Sequence, residues 1–398
     1  MLSVREANDL INSYARDFGV ETIELAKADG RILAENIESD RNYPPFNRSA
    51  MDGYAIRQQD FGVYKTFKIT GELHAGDSPD MRVAKGNCVK IMTGTAVPED
   101  CDAVIRIEDC KITGDEVEFS VNAVKPWQNI SRQGEDCGLG EILVKKGEVI
   151  TPAILGVLAV IGKSKVTVYQ LPKLAIISTG NEVIPIDHPV KPYQIRDSNS
   201  YALAGFFEYY KISPTYKSLV KDDKQEIISA VKTALNCEII IISGGVSMGD
   251  ADFVPDVLSD LGVKKVFHKV KIKPGKPIWF GIGPGGQFVF ALPGNPMSCQ
   301  VAFKVFIEPF ILKCFSSSPQ RQFLLPIDNG RKKKTKFEEY FPCKIVNDGT
   351  SVLREVSING SGDISSTIHS DGLAIHEEVK GDLQKGELLR FLPWRLGR

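Results

Sequence analysis

Across its 398 residues the chain has no C-x-x-C pair and no cysteine spacing of the zinc-binding kind. Its eight cysteines, Cys88, Cys101, Cys110, Cys137, Cys237, Cys299, Cys314 and Cys343, lie scattered. A chain of this length, 42% hydrophobic, can build its core without covalent staples, so reduced thiols in a cytoplasmic protein are expected. Histidine is scarce too: His74, His188, His268, His369 and His376 stand at unrelated spacings, which argues against a histidine-built metal site. Charge of one sign is missing, with 49 lysines and arginines against 50 aspartates and glutamates. No global positive field gathers nucleic acid or an anionic membrane, and any anionic ligand must be held locally. The longest apolar stretch, Ala153 to Ile161, is far short of the roughly 20 residues that cross a bilayer. Met1-Leu2-Ser3-Val4-Arg5-Glu6 opens without a basic-then-apolar leader, so a soluble, unexported protein is expected. No Ser/His/Asp triad, Walker lysine or dinucleotide fingerprint is present.

What is present is organisation for two to four domains. Ser3-x-x-Glu6 is a capping box, and Val4, Ala7, Leu10, Ile11, Tyr14 and Phe18 follow at helical spacing. From about Arg41 to Lys146 short alternating runs are broken by Gly, Pro and Asp, the texture of a small β-rich domain; Thr151-Pro152 then starts a helix. From Lys173 strands alternate with helical stretches, the pattern of a doubly wound α/β fold with a parallel sheet and ligand crevices at the carboxyl ends of its strands. The last of these helices is expected to run unbroken from Asn295-Pro296 to Phe315. Beyond Phe323 strand-and-turn texture returns, and a small C-terminal β domain is expected. Arg331-Lys332-Lys333-Lys334-Thr335-Lys336 reads as a solvated linker face, or as a targeting or polyanion patch.

Four consecutive isoleucines, Ile239 to Ile242, fit a strand covered on both faces. They run into Ser243-Gly244-Gly245-Val246-Ser247-Met248-Gly249-Asp250-Ala251-Asp252, whose glycines let the backbone aim N–H groups at an oxyanion. Asp250 and Asp252 offer hard oxygens to a cation such as Mg²⁺, or Asp252 is only a helix N-cap. In Lys271-Ile272-Lys273-Pro274-Gly275-Lys276-Pro277 three lysines on a loop stiffened by prolines form a point-charge clamp, or a solvated edge. Pro293-Gly294-Asn295-Pro296-Met297-Ser298 places a helix N-terminus after a strand, an anion cradle or an ordinary cap by Asn295. Ser178-Thr179-Gly180-Asn181-Glu182 and Arg196-Asp197-Ser198-Asn199 are turns or caps in isolation. Thr179, Asp197, Gly244, Lys273 and Gly294 all fall at strand ends or adjoining turns, so one crevice is expected to collect them. In the N-terminal part, Pro44 to Ala55 is dense in functional groups around Asp52-Gly53, and Met92-Thr93-Gly94 is a weaker candidate of the same kind.

The ordered series Asn47 to Ala55, Ile91 to Gly94, Ser178 to Glu182, Ser243 to Gly249, Lys273 to Pro277 and Pro293 to Pro296 closely resembles the molybdopterin molybdenumtransferase family, of MoeA type and including the gephyrin E domain. The resemblance spans nearly the whole chain. It implies a multidomain α/β protein: an N-terminal region at 1–168 with an inserted β-rich domain at about 45–146, a doubly wound molybdopterin-binding domain at 172–318, and a β-barrel-like C-terminal domain at 322–398. The implied activity inserts molybdate into adenylylated molybdopterin with release of AMP, assisted by Mg²⁺, in a homodimer that touches other proteins of molybdenum cofactor biosynthesis transiently. Carried over by position, Asp52, Asp252, Lys273 and Lys276 are the catalytic candidates. Thr93, Thr179, Gly180, Asp197, Ser243, Gly244, Gly245, Ser247, Pro293, Gly294, Asn295, Pro296 and Ser298 are the pterin-binding candidates, and Glu182, Asp250 and Asp252 the metal ligands. Asp52 is expected to serve the site of the partner protomer. Two departures stand out: Asn181 where the family usually has Asp, and Tyr340 or its neighbours where it often has Arg, leaving Ser361 and Ser365 as C-terminal candidates. A pterin adenylyltransferase and a non-catalytic scaffold of the same fold are the alternatives.

Overall fold

The computed structural model describes residues 1–246, 253–319 and 321–395. Two compact units contain them: Met1–Glu35, Lys146–Pro152 and Lys165–Arg398 in the first, Asn36–Lys145 and Ala153–Ser164 in the second. In the first unit α1 (Val4–Ser13) starts on the capping box, with Ser3 and Glu6 exchanging hydrogen bonds, and buries Val4, Ala7 and Ile11. At the centre lies a six-stranded sheet of β1 (Leu174–Thr179), β2 (Pro214–Val220), β3 (Ile239–Ser243), β4 (Lys264–His268), β5 (Trp279–Ile282) and β6 (Phe288–Leu292), ordered β2-β1-β3-β6-β5-β4. The isoleucine run is fully buried because both faces are covered. Ile239 and Ile241 pack with Phe207, Phe288 and Phe290 on one side, while Ile240 and Ile242 meet Val231, Val254 and Val257 on the other. Those covers come from α2 (Asn199–Glu208), α3 (Lys224–Ala234), α4 (Val254–Asp260) and α5 (Pro296–Ala302).

Neighbours β2, β1, β3 and β6 are parallel, but β5 pairs antiparallel with both β6 and β4, so the expected parallel sheet is mixed. The cause is local. Only Gly283 to Gln287 separate β5 from β6, and Gly286 at φ 83° folds them into a hairpin too short for a crossover helix. Chain order reverses at β1 and β3, whose carboxyl ends therefore open a crevice at the switch point.

The expected unbroken helix after Pro296 is instead α5, a π-helical turn over Phe303–Ile307, and α6 (Glu308–Cys314). Pro309 explains the turn, since its ring lacks an N–H and crowds the carbonyl of Val305; widening the preceding turn accommodates both. The C-terminal segments form a second six-stranded sheet around Phe341, Cys343, Leu353 and Phe391, and it recruits Ile272–Lys273 of the lysine loop as an edge strand beside Glu338–Asp348. The basic run is not a solvated linker throughout. Arg331 is 7% exposed, pairs with Glu339 (2.7 Å) and Glu355 (3.2 Å), and lies 4.0 Å over the Phe341 ring, while Lys333 Nζ donates to the His376 and Glu377 carbonyls.

The second unit is β-rich. In its six-stranded sheet Gly53–Ile56 lies between the edge strand Ala103–Arg106 and Asn87–Ile91, with apolar clusters on both faces. All eight cysteines are free. Among the described residues no helix is long and apolar enough to cross a membrane.

Candidate active site

A crevice of about 840 Å³ opens at the carboxyl ends of β1, β3 and β6. Buried strands feed it directly. Ser178 and Thr179 end β1, Ser243 ends β3, and each passes into glycine: Gly180, then Gly244 at φ 100° and Gly245 at φ 63°. These last two positions exclude side chains. A Cβ on Gly244 would stand 2.5 Å from the Thr179 carbonyl and 2.8 Å from its hydroxyl, and one on Gly245 would stand 2.7 Å from Val254 Cγ2. Thr179 is 5% exposed, and its Oγ1 is buried without a hydrogen-bond partner among the described residues. With no side chain on Gly244 or Gly245, the crevice wall beside Thr179 is backbone.

Asn199 ties the crevice walls together. From the first turn of α2 its Nδ2 donates to Ser243 Oγ (2.8 Å) and to the Gly294 carbonyl (2.7 Å), linking the ends of β3 and β6. Asp197 anchors that turn: its carboxylate accepts from the Ser178 hydroxyl (3.0 Å), the Ser200 N–H (3.1 Å) and the Ser200 hydroxyl (2.5 Å). With those oxygens engaged, Asp197 works as an architectural carboxylate of the crevice. Cys299, behind Ser243 at 3.8 Å, has its thiol pushed up to about 12 by burial and is inert.

Of the pterin-binding candidates the crevice brings together Thr179, Gly180, Asp197, Ser243, Gly244, Gly245, Pro293, Gly294, Asn295 and Pro296. Ser298 is buried behind them and does not line it. Thr93 belongs to the second unit. Ser247, Asp250 and Asp252 lie outside the described residues. Neither Lys273 nor Lys276 lines the crevice, although Pro277 of the same loop does; both lysines are exposed, with Lys276 Nζ 5.8 Å over the Phe337 ring.

Asn295 does not cap α5 with its side chain. Its Nδ2 donates to Ser361 Oγ (2.7 Å), and this bond draws in a C-terminal segment that contributes Gly362 and Ile364 to the wall. Ser365 is used inside that segment, donating to Asp363, whose carboxyl is held well below the usual range by N–H groups of Asn359, Ser366 and Ser365. Tyr340 is buried and donates to Glu338 (2.5 Å). Sequence reasoning missed Asn199, Asp222, Gly362 and Ile364. Asn199 closes the Arg196-Asp197-Ser198-Asn199 motif, but its partners are 44 and 95 positions away and leave no local signal.

Glu182 and Asp222 add carboxylates to the crevice wall. Asn181 and Asp222 exchange backbone-to-side-chain bonds of 3.3 and 3.2 Å, so Asn181 sets a neutral amide beside Asp222 where a second carboxylate would repel it. Among the described residues no three His, Cys, Asp or Glu side chains cluster closely enough to hold a metal ion. The exposed Glu182 carboxylate is a hard oxygen donor, which suits Mg²⁺. In the second unit, Thr93 donates twice to Asp52 Oδ1, from N–H and hydroxyl at 2.7 Å each. Those bonds hold the exposed Asp52 carboxyl below its ordinary value and keep it ionised.

A crevice at the switch point of an α/β sheet is where doubly wound folds bind their ligands, and comparison with known proteins identifies the family. Residues 2–162 match the MoeA N-terminal region (domain I and II), and residues 175–313 the probable molybdopterin binding domain. The MoeA protein from Pyrococcus horikoshii superposes with a TM-score of 0.86 at 29% identity, over 99% of this chain and all of that one. The molybdopterin molybdenumtransferase of Synechocystis sp. is 31% identical over 400 residues, covering 99% of this chain and 100% of the relative; that of Haemophilus influenzae is 32% identical over 380 residues, 94% of each. The chain belongs to the molybdopterin molybdenumtransferase family.

Proposed function

We propose that the protein inserts molybdate into adenylylated molybdopterin and releases AMP. The observation that carries the reading is a crevice of about 840 Å³ at the switch point, large enough for a pterin nucleotide and walled by the Gly244–Gly245 turn, where no side chain fits. Thr179, the glycine turn and the α5 N-terminus at Asn295-Pro296 bind the pyrophosphate oxygens, and the apolar Ile364 lies against the ligand's ring system. Molybdate is a dianion, so Lys273 and Lys276 supply its counter-charge at the rim. Glu182, with Asp250 and Asp252, would hold Mg²⁺, and the ion would supply positive charge against the departing phosphate. Catalysis is electrostatic positioning rather than covalent.

On the same reading the α/β domain spans 172–318 between an N-terminal region at 1–168 and a C-terminal domain at 322–398, in a cytoplasmic homodimer that meets other cofactor-biosynthesis proteins transiently. Asp52 of one protomer serves the chemistry of its partner. Mixing Asp52→Ala with Lys276→Ala subunits, each impaired alone, then raises activity in heterodimers above that of either parent; heterodimers shown to have formed that gain nothing reject the arrangement. The reaction itself is tested by incubating the purified protein with adenylylated molybdopterin, Mg²⁺ and molybdate. AMP and active cofactor are expected. ATP consumption with unadenylylated pterin marks an adenylyltransferase instead, and binding without turnover marks a scaffold.

A further inference from the structure

A buried ionic cluster of the first unit that takes no part in the proposed chemistry surrounds Lys304 in the π-helical turn. Lys304 is 2% exposed; its Nζ donates to Glu308 Oε1 (2.9 Å), meets Glu308 Oε2 (2.7 Å) and donates to the Trp394 carbonyl (3.2 Å). Tyr210, just past the end of α2, donates its hydroxyl to Glu308 Oε1 (2.6 Å). Phe206 of α2 stacks on Phe303 (4.9 Å, 15°) and reaches Trp394 at 6.1 Å. Trp394 in turn holds the C-terminal segment, donating from its N–H to the Asp371 carbonyl (3.0 Å) and from Nε1 to Ser370 Oγ (2.9 Å).

Three segments therefore meet here: α2, the α5–α6 helix and the C-terminal chain. The same three supply the crevice with Asn199, with Asn295 and Pro296, and with Gly362 and Ile364. Ten residues of α2 separate the two meeting places, about 15 Å of rigid rod. Burying an ion pair gains little stability over a well-packed apolar pair, and its better-attested use is to fix one arrangement among several.

We propose that Lys304, Glu308, Tyr210 and Trp394 form a clasp of positioning residues that sets the register of the three segments building the crevice, at a distance from the ligand. Lys304→Met with Glu308→Leu replaces the pair by apolar groups of similar size and leaves no lone buried charge. Hydrogen exchange should then rise about tenfold at 199–203, 295–299 and 359–371, with 174–177 and 239–242 protected as before. Exchange unchanged in those three segments, or raised only at 303–308, overturns the clasp. Should the double variant not fold, Tyr210→Phe removes one hydroxyl and is expected to raise exchange in the same segments; no rise there rejects the idea equally.

A second arm rests on the proposed transfer reaction. KM for the adenylylated pterin should rise about tenfold with kcat little changed, because a loosened crevice must be ordered at the cost of binding. A role in folding alone leaves both constants of the folded fraction unaltered, and that result counts against the proposal. If wild-type protein gives no turnover while exchange changes as expected, the reaction is rejected and the clasp stands.

Discussion

At the scale of the residue, a few side chains hold the crevice walls together. Asn199 bonds both Ser243 and the Gly294 carbonyl, so Asn199→Ala should leave the buried Ser243 hydroxyl short of a donor and cost about 1 kcal/mol. AMP release should fall with it, because the two strand ends that shape the anion cradle are no longer joined. Thermal melting and turnover measured on one preparation check this, and a variant with full activity would show that the walls hold without Asn199. Lys273→Ala and Lys276→Ala behave oppositely. Both lysines are exposed, so their loss should weaken molybdate-dependent turnover while the melting temperature stays near wild type. Normal activity in both variants removes the lysines from the mechanism, and a collapsed melt makes them structural.

At the scale of the element, the sequence was most legible where local chemistry and tertiary context agree. The capping box of α1, the isoleucine strand and the glycine turns at strand ends read correctly because each is set by neighbours along the chain. Legibility failed where a partner is remote. Asn295 has a capping residue's identity at a cap position, yet its side chain is spent on Ser361. Arg331 opens a run that looks solvated, yet carboxylates 8 and 24 positions away draw it into the sheet. The π-helical turn was hidden for a different reason, since Pro309 sits inside an otherwise helical pattern that gives no hint of how the turn before it widens. A contrast between two caps tests this. Asp223 accepts from the Gln225 and Glu226 N–H groups at the start of α3, so Asp223→Ala should cost about 1 kcal/mol. Asn295→Ala should cost the helix little and lower activity instead, by releasing the segment that carries Gly362 and Ile364. Equal losses of stability in urea titrations would contradict the difference.

At the scale of the whole molecule, two histidines, His376 buried and His268 half-buried, give stability a pH dependence. His268 meets the Val246 carbonyl (3.1 Å); His376 accepts from Arg331 at Nδ1 (2.8 Å) and donates from Nε2 to the Gly381 carbonyl (2.7 Å). Burial is the main cause that lowers both values below the ordinary 6.5; nearby cations, Lys269 and Lys265 for one, Lys333 and Arg331 for the other, add to it against the opposing carbonyl bonds and, at His376, Glu339. Below 6.5 the unfolded chain takes up protons that the folded chain refuses. Stability is therefore full above that pH and declines as pH falls through it, by at most about 1.4 kcal/mol per pH unit for each histidine. Urea midpoints should drop between about pH 7 and 5.5, and drop less in His376→Gln. Identical midpoints in wild type would refute the assignment.

The most direct measurement of the central claim is a count of product: AMP released and molybdenum bound to pterin, quantified together in one reaction with adenylylated molybdopterin as molybdate is titrated in. The two should appear in equal amounts, neither should form without molybdate, and Asn199→Ala should lower both in step. AMP released at the same rate without molybdate, or molybdenum incorporated with no AMP, would contradict the claim.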